Sequence, residues 1–222
     1  MRAAATSSVG QIPLQNSFKS VVARAPVAFG LIIASGIVFL LFWELGLVEL
    51  VHLLNFVPFE ETPFGRSYGE PGQHFWRFVT PTLLHFGWMH IVFNSLWVWE
   101  FGRRIESRLG SINLFGLYVA AAIFSNSVQY FVTGGSIFGG MSGVVYAFLG
   151  FIWAGNMVRP RWIEPLPPAI FGFMLAWLII GMVGALEILG VGAIANGAHL
   201  GGLIIGVILG GVFGQLSKLA RH

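Results

Sequence analysis

Apolar residues along this chain fall into six runs, separated by stretches where Gly, Pro and charged residues collect. The runs cover residues 27–47, 81–101, 112–132, 142–158, 168–189 and 197–216. A helix of about 20 apolar residues spans the ~30 Å hydrocarbon core of a bilayer, so the pattern predicts an all-α membrane protein with a bundle of six transmembrane helices. The fourth run is short, since 17 residues rise only ~25 Å, and its start is expected below the membrane surface. The uncharged loop ahead of it, residues 133–141, would then dip into the bilayer. Irregular backbone at that depth is tolerated only where protein or a water-filled cavity satisfies it. The first connection, residues 48–80, is long and holds Phe56, Phe59, Phe64, Phe75 and Trp76, which suits a segment lying in the membrane interface.

Composition agrees with this pattern. Of 222 residues, 56% are hydrophobic and only 9% charged, with a mean hydropathy of +0.79, whereas soluble domains carry roughly 25% charged residues. The net charge of +3 matters less than its placement. Arg2, Lys19, Arg24, Arg103, Arg104, Arg108, Arg159, Arg161, Lys218 and Arg221 all fall on one side of the six-run topology. Basic residues in short loops mark the cytoplasmic side, so both termini are expected there. The opposite side holds Glu44, Glu49, Glu60, Glu61 and Glu70 against Arg66 and Arg77. The expected organisation is a cytosolic arm over residues 1–25, a six-helix core over 26–217 and a cytosolic tail over 218–222. The arm has no acid and no secretory cleavage site and reads as cytosolic, although its Ala, Ser and Arg content also suits an organellar transit peptide. A bacterial inner membrane is the expected location, with an organellar membrane as the lesser reading.

Absent residue types restrict the chemistry. Without Cys there is no thiol nucleophile and no thiolate metal site, and without Asp there is no aspartate pair and no Ser-His-Asp triad. No His-Glu-x-x-His pattern occurs either.

Ser142 stands where the glycine-rich turn Gly139-Gly140-Met141-Ser142-Gly143 meets the fourth run, which exposes its hydroxyl beside free main-chain N–H groups. A Ser flanked by Gly also serves simple helix packing or capping. His199 lies less than one turn inside the last run at a similar depth, and an ionisable residue there is a functional candidate. Ala198, Gly202, Gly206, Gly210 and Gly214 recur every four residues, and Gly143, Ala147 and Gly150 offer a matching face, so the two helices can pack closely and bring the imidazole to the hydroxyl. The alternative is a histidine bonded across helices for structure alone. His90 and Asn94, four apart on one face of the second run, are able to donate to an oxyanion or to act as interhelical glue. Tyr146 shares the face of Ser142 and can orient the imidazole by packing on it or by a hydrogen bond, although an interfacial or core Tyr needs no such role. His85, five residues before His90, lies about 140° round a helix from it, and no metal site is expected.

These residues, in this order, resemble the rhomboid intramembrane serine proteases, most closely the six-helix bacterial type. The likeness covers residues 24–216. It rests on Trp76-Arg77, His85-x4-His90-x3-Asn94, Gly140-Met141-Ser142-Gly143 followed by Tyr146, and Ala198-His199-x2-Gly202-x3-Gly206. The resemblance implies a rhomboid-like bundle of six transmembrane helices with a long interfacial first loop. It further implies a Ser142/His199 dyad, an oxyanion hole of His90, Asn94 and the Ser142 N–H, and Tyr146 stacked on His199, with Gly140, Gly143 and Gly202 in support. The Trp76-Arg77 loop would be structural, and the fifth segment with the loop near residues 191–196 would form a lateral gate. The implied activity is endopeptidase cleavage of transmembrane protein substrates near the extracytoplasmic face, with the lipid bilayer as partner, no cofactor and no nucleic acid. A catalytically inactive, client-binding relative is the alternative, and the oligomeric state is open. The arm ahead of the first run is short where some members carry a cytosolic domain.

Overall fold

A computed structural model describes residues 22–72, 74–184 and 194–220 of the chain. Helix α1 (Pro26–Phe39) continues as a π-helical turn over Leu40–Glu44. The first connection holds the short helix α2 (Glu49–Leu54), an antiparallel hairpin of β1 (Phe59–Thr62) and β2 (Gly65–Tyr68), and 3-10 turns at Phe75–Phe78 and Thr80–Leu83. Then come α3 (Trp88–Leu109), α4 (Ser111–Thr133), α5 (Ser142–Val158), α6 (Pro168–Met182) and α7 (Asn196–Leu219). The chain is an α-helical integral membrane protein that crosses the bilayer more than once. Pro26–Glu44, α4 and α7 are long and apolar enough to span it, while α5 and α6 are shorter apolar helices.

The second predicted segment shifts along the chain. Gly87, at φ +149, opens α3 at Trp88 rather than at residue 81, because Pro81 sits in the preceding 3-10 turn. At the other end α3 continues eight residues past Phe101. Its charged turns are paired: the Glu100 carboxylate accepts from Arg103 at 2.9 Å and from Arg104, while Glu164 also contacts Arg104, at 2.6 Å. Charge ended the expected helix, but pairs at i,i+3 and i,i+4 sustain the real one until Gly110. Nearby, the buried Glu106 accepts from the N–H groups of Val27 and Ala28, both at 2.9 Å, and from Ser111 Oγ at 2.7 Å. An anion thus satisfies the positive end of α1.

The core centres on α5, twelve of whose seventeen residues are buried. Across it, α7 approaches at backbone distance. A Cβ at Gly202 would collide with the Gly143 carbonyl, and one at Gly206 with that of Ala147. On the opposite side of that interface, a Cβ at Gly150 would lie 2.7 Å from the Leu203 carbonyl. Each helix therefore offers its small face to the other, as the spacing predicts.

The first connection folds over the loop that precedes α5. Asn55 Nδ2 donates to the carbonyls of Val57 (3.0 Å) and Ser136 (3.2 Å), and its own carbonyl accepts from Arg77 Nη1 at 2.7 Å. Phe56, Val57 and Phe138 close a small apolar cluster across the same contact. The aromatic loop residues thus divide into two sets, with Phe56 and Phe59 packed inward and Phe64 and Phe75 exposed.

Candidate active site

Ser142 is the first residue of α5, where the main-chain N–H groups have no intrahelical acceptor. The chain arrives through Gly140, whose φ of +105 suits only glycine. A side chain there would also run into His90 Nε2, and Asn94 Nδ2 lies 3.5 Å from the same point. The turn is fixed from behind, since Gly140 N–H donates to the Pro81 carbonyl at 3.0 Å.

His199 lies one turn inside α7 and is 6% exposed. Its Nε2 is 2.7 Å from Ser142 Oγ. Its Nδ1 is buried with no hydrogen-bond partner among the described residues. For Nε2 to take a proton from the hydroxyl it must be the unprotonated nitrogen, leaving the proton on Nδ1. The Tyr146 ring lies 4.9 Å from the imidazole, tilted by 37°. Of the two roles open to Tyr146 it takes the packing one, because its hydroxyl donates elsewhere, to the Met174 carbonyl at 2.8 Å.

His90 and Asn94 both reach the turn before Ser142. Phe86 N–H points at His90 Nδ1 (3.4 Å), which makes Nδ1 the acceptor and leaves Nε2–H as the donor facing Gly140. Asn94 Nδ2 spends one proton on the His90 carbonyl at 2.9 Å and keeps the other. His90 Nε2 and Asn94 Nδ2 thus both face the Gly140 turn, two residues ahead of Ser142. His85 corrects the helical-wheel expectation. It precedes α3, so the 140° offset does not apply, and its buried ring packs against His90 at 4.9 Å.

Some contributors escaped the sequence reading. Gln129 Oε1 accepts from the Ala198 N–H at 3.0 Å, anchoring the start of α7 next to His199. Asn126 Nδ2 donates to the Phe78 carbonyl at 2.9 Å, tying α4 to the first connection. Ser125 stands against Gly143, where a Cβ would meet its Oγ at 2.7 Å. The signal was available, because Ser125, Asn126 and Gln129 are buried polar residues in an apolar helix. Residues 191–193 of the loop expected to overlie α6 lie outside the described residues.

Residues 72–216, more than half of the chain, match the model of the Rhomboid domain. The chain is 42% identical over 145 residues to the Rhomboid protease GlpG of Photorhabdus laumondii, covering 64% of this chain and 50% of that protein. It is 42% identical over 134 residues to those of Yersinia pseudotuberculosis and Serratia proteamaculans, covering 60% of this chain and 46% of each. The chain spans about half the length of the relatives it matches. With a family model over most of its helical core and the ordered motifs gathered round one serine, the chain belongs to the Rhomboid domain family.

Proposed function

We propose that this protein is an intramembrane serine endopeptidase that hydrolyses peptide bonds of transmembrane proteins near the extracytoplasmic face. The observation that carries the reading is the 2.7 Å approach of Ser142 Oγ to His199 Nε2, with Nδ1 free of any partner among the described residues. His199 removes the hydroxyl proton as Ser142 attacks the scissile carbonyl. The developing oxyanion is held by the Ser142 N–H, His90 Nε2–H and the free Asn94 Nδ2–H, and His199 returns its proton to the leaving amine. Water, activated by the same imidazole, then releases the acyl-enzyme. Two residues suffice because Tyr146 packing and burial orient the imidazole, which in a triad is the work of a carboxylate. The relatives' name as proteases supports the same reading.

The six longest helices make up a six-span core in this proposal, with the arm, the Arg103/Arg104 end of α3 and the C-terminus in the cytoplasm. Ser142 begins α5 and His199 closes the first turn of α7, and both would lie at the other end, below the surface. A substrate helix must unwind there, since an intact helix keeps its carbonyls bonded and shielded. An inactive, client-binding relative finds no support in a site that retains both Ser142 and His199. Cleavage of a model transmembrane substrate by the purified protein, with fluorophosphonate labelling mapped to a residue, tests the proposal. Equal cleavage by Ser142→Ala, or labelling elsewhere than Ser142, would overturn it.

A further inference from the structure

Helices α1 and α3 part on their exposed side to leave an apolar groove of about 320 Å³. Gly36 and the buried Phe39 and Ile91 form its floor, and the exposed Leu40, Trp88 and Val92 form its rim. Along α3 it runs from Trp88 to Ser95, roughly 10 Å of helix axis, against about 15 Å for the hydrocarbon of one leaflet. That leaves a cross-section of roughly 30 Å², room for one extended chain but not for a helix about 10 Å across.

A carboxylate stands at the mouth. Glu44 closes the π-helical turn that follows α1, is exposed, and accepts from Trp88 Nε1 at 3.2 Å. No cation pairs with it among the described residues. The Trp43 ring stacks on Phe39 with centroids 5.9 Å apart, and Trp88 meets Phe39 edge-on at 5.0 Å. Two exposed indoles are thus held on one phenyl ring beside the carboxylate. Indoles collect at the membrane–water interface, and their faces attract cations.

From this we infer that the α1–α3 groove binds one aminophospholipid, with an acyl chain along Gly36 and Ile91 and the headgroup ammonium on the Glu44 carboxylate. An anionic headgroup would set like charge against Glu44, whereas an ammonium meets both the carboxylate and the indole faces. Trp88, Ile91, Val92 and Ser95 line the groove, while His90 and Asn94 lie on the opposite side of α3, against Gly140. The start of α3 has no side-chain cap, so a seated lipid braces from behind the turn that presents these two side chains. The inference goes beyond the protease reading and does not depend on it.

The full chain, stripped of lipid in detergent, is titrated with dioleoyl phosphatidylethanolamine or dioleoyl phosphatidylglycerol. Native mass spectrometry reads bound lipid and oligomeric state together. One phosphatidylethanolamine per chain is expected, held about tenfold more tightly than phosphatidylglycerol, the ratio of one charge-assisted contact. Glu44→Gln keeps an acceptor for Trp88 Nε1 but removes the charge, so it should abolish that preference. Gly36→Leu fills the groove, since a Cβ there meets nothing within 4 Å, and should weaken phosphatidylethanolamine binding about tenfold or more. Gly30→Leu, equally open on the same helix but outside the groove, should bind as wild type does. Equal affinity of the wild type for both lipids, or an unchanged preference in Glu44→Gln, would overturn the proposal. So would Gly36→Leu that binds phosphatidylethanolamine as tightly as wild type. A dimer that only Gly36→Leu dissolves would overturn it too, by giving the groove to a second copy of the chain. If Gly36→Leu does not fold, the two lipid affinities of wild type and Glu44→Gln decide.

Discussion

Helices α5 and α6 both flank the His199 end of α7, yet they are held in different ways. Between α5 and α7 the contact is backbone on backbone, with glycines of one helix seated against carbonyls of the other. Between α6 and its neighbours it is side chain on side chain, with three buried residues, the rings of Phe171 and Phe173 against Trp153 and Trp97, and two hydrogen bonds to main-chain carbonyls. Close backbone packing fixes atoms to a fraction of an ångström, which a hydroxyl and an imidazole 2.7 Å apart require. Side-chain contacts leave more freedom than backbone against backbone does. Ser142 and His199 both lie on the closely packed pair.

Five substitutions sharpen or break that comparison. Ser142→Ala or His199→Ala should abolish cleavage, with losses on the order of 10⁴ to 10⁶ as in other serine proteases, while the thermal unfolding midpoint barely moves. Gly206→Leu tests the tight interface. Its side chain would occupy the Ala147 carbonyl, so a destabilisation of roughly 3 kcal/mol or more is expected in a denaturant titration, with activity lost because the helices separate. Asn94→Ala removes a donor that the proposed mechanism gives to the oxyanion, and it should lower kcat by about 10² with little change in KM or stability. Gly211→Ala lies one residue from the interface glycine Gly210 but has nothing within 4 Å of its added carbon. It should change stability by less than about 1 kcal/mol, and a loss as large as that of Gly206→Leu would show that helix flexibility rather than close approach is what the glycines provide.

Much of the site is visible in one dimension because bilayers penalise polar residues. Ser142, His199, His90 and Asn94 stand out against apolar runs, and the four-residue glycine period in residues 202–214 names the helix pair that must touch. The span of α5, residues 142–158, agrees with the expected run, since the glycine turn and Arg159 bound it. Boundaries failed where charge was read as a stop. The last two turns of α3 are helical because Glu100, Arg103 and Arg104 pair with one another and with Glu164, far along the chain. The hairpin at Phe59–Tyr68 was hidden inside an aromatic stretch read only as interfacial. Asn196 and Gln129 carry no motif of their own, and their partners are main-chain atoms with no sequence signature.

From the order of its residues alone, the chain is a polytopic membrane protein with a serine, a histidine and two amide or imidazole donors, and without the Asp of a triad. Hydropathy and residue chemistry are local properties, so they survive being read along a line. Tertiary structure decided the rest: which nitrogen of His199 meets Ser142, where the His90 proton points, that Tyr146 spends its hydroxyl on α6, and that Asn196 ties α6 to the helix bearing the base. Each of these depends on distances between segments far apart in sequence, set by how closely glycine lets two backbones approach, and no single run of residues contains that information.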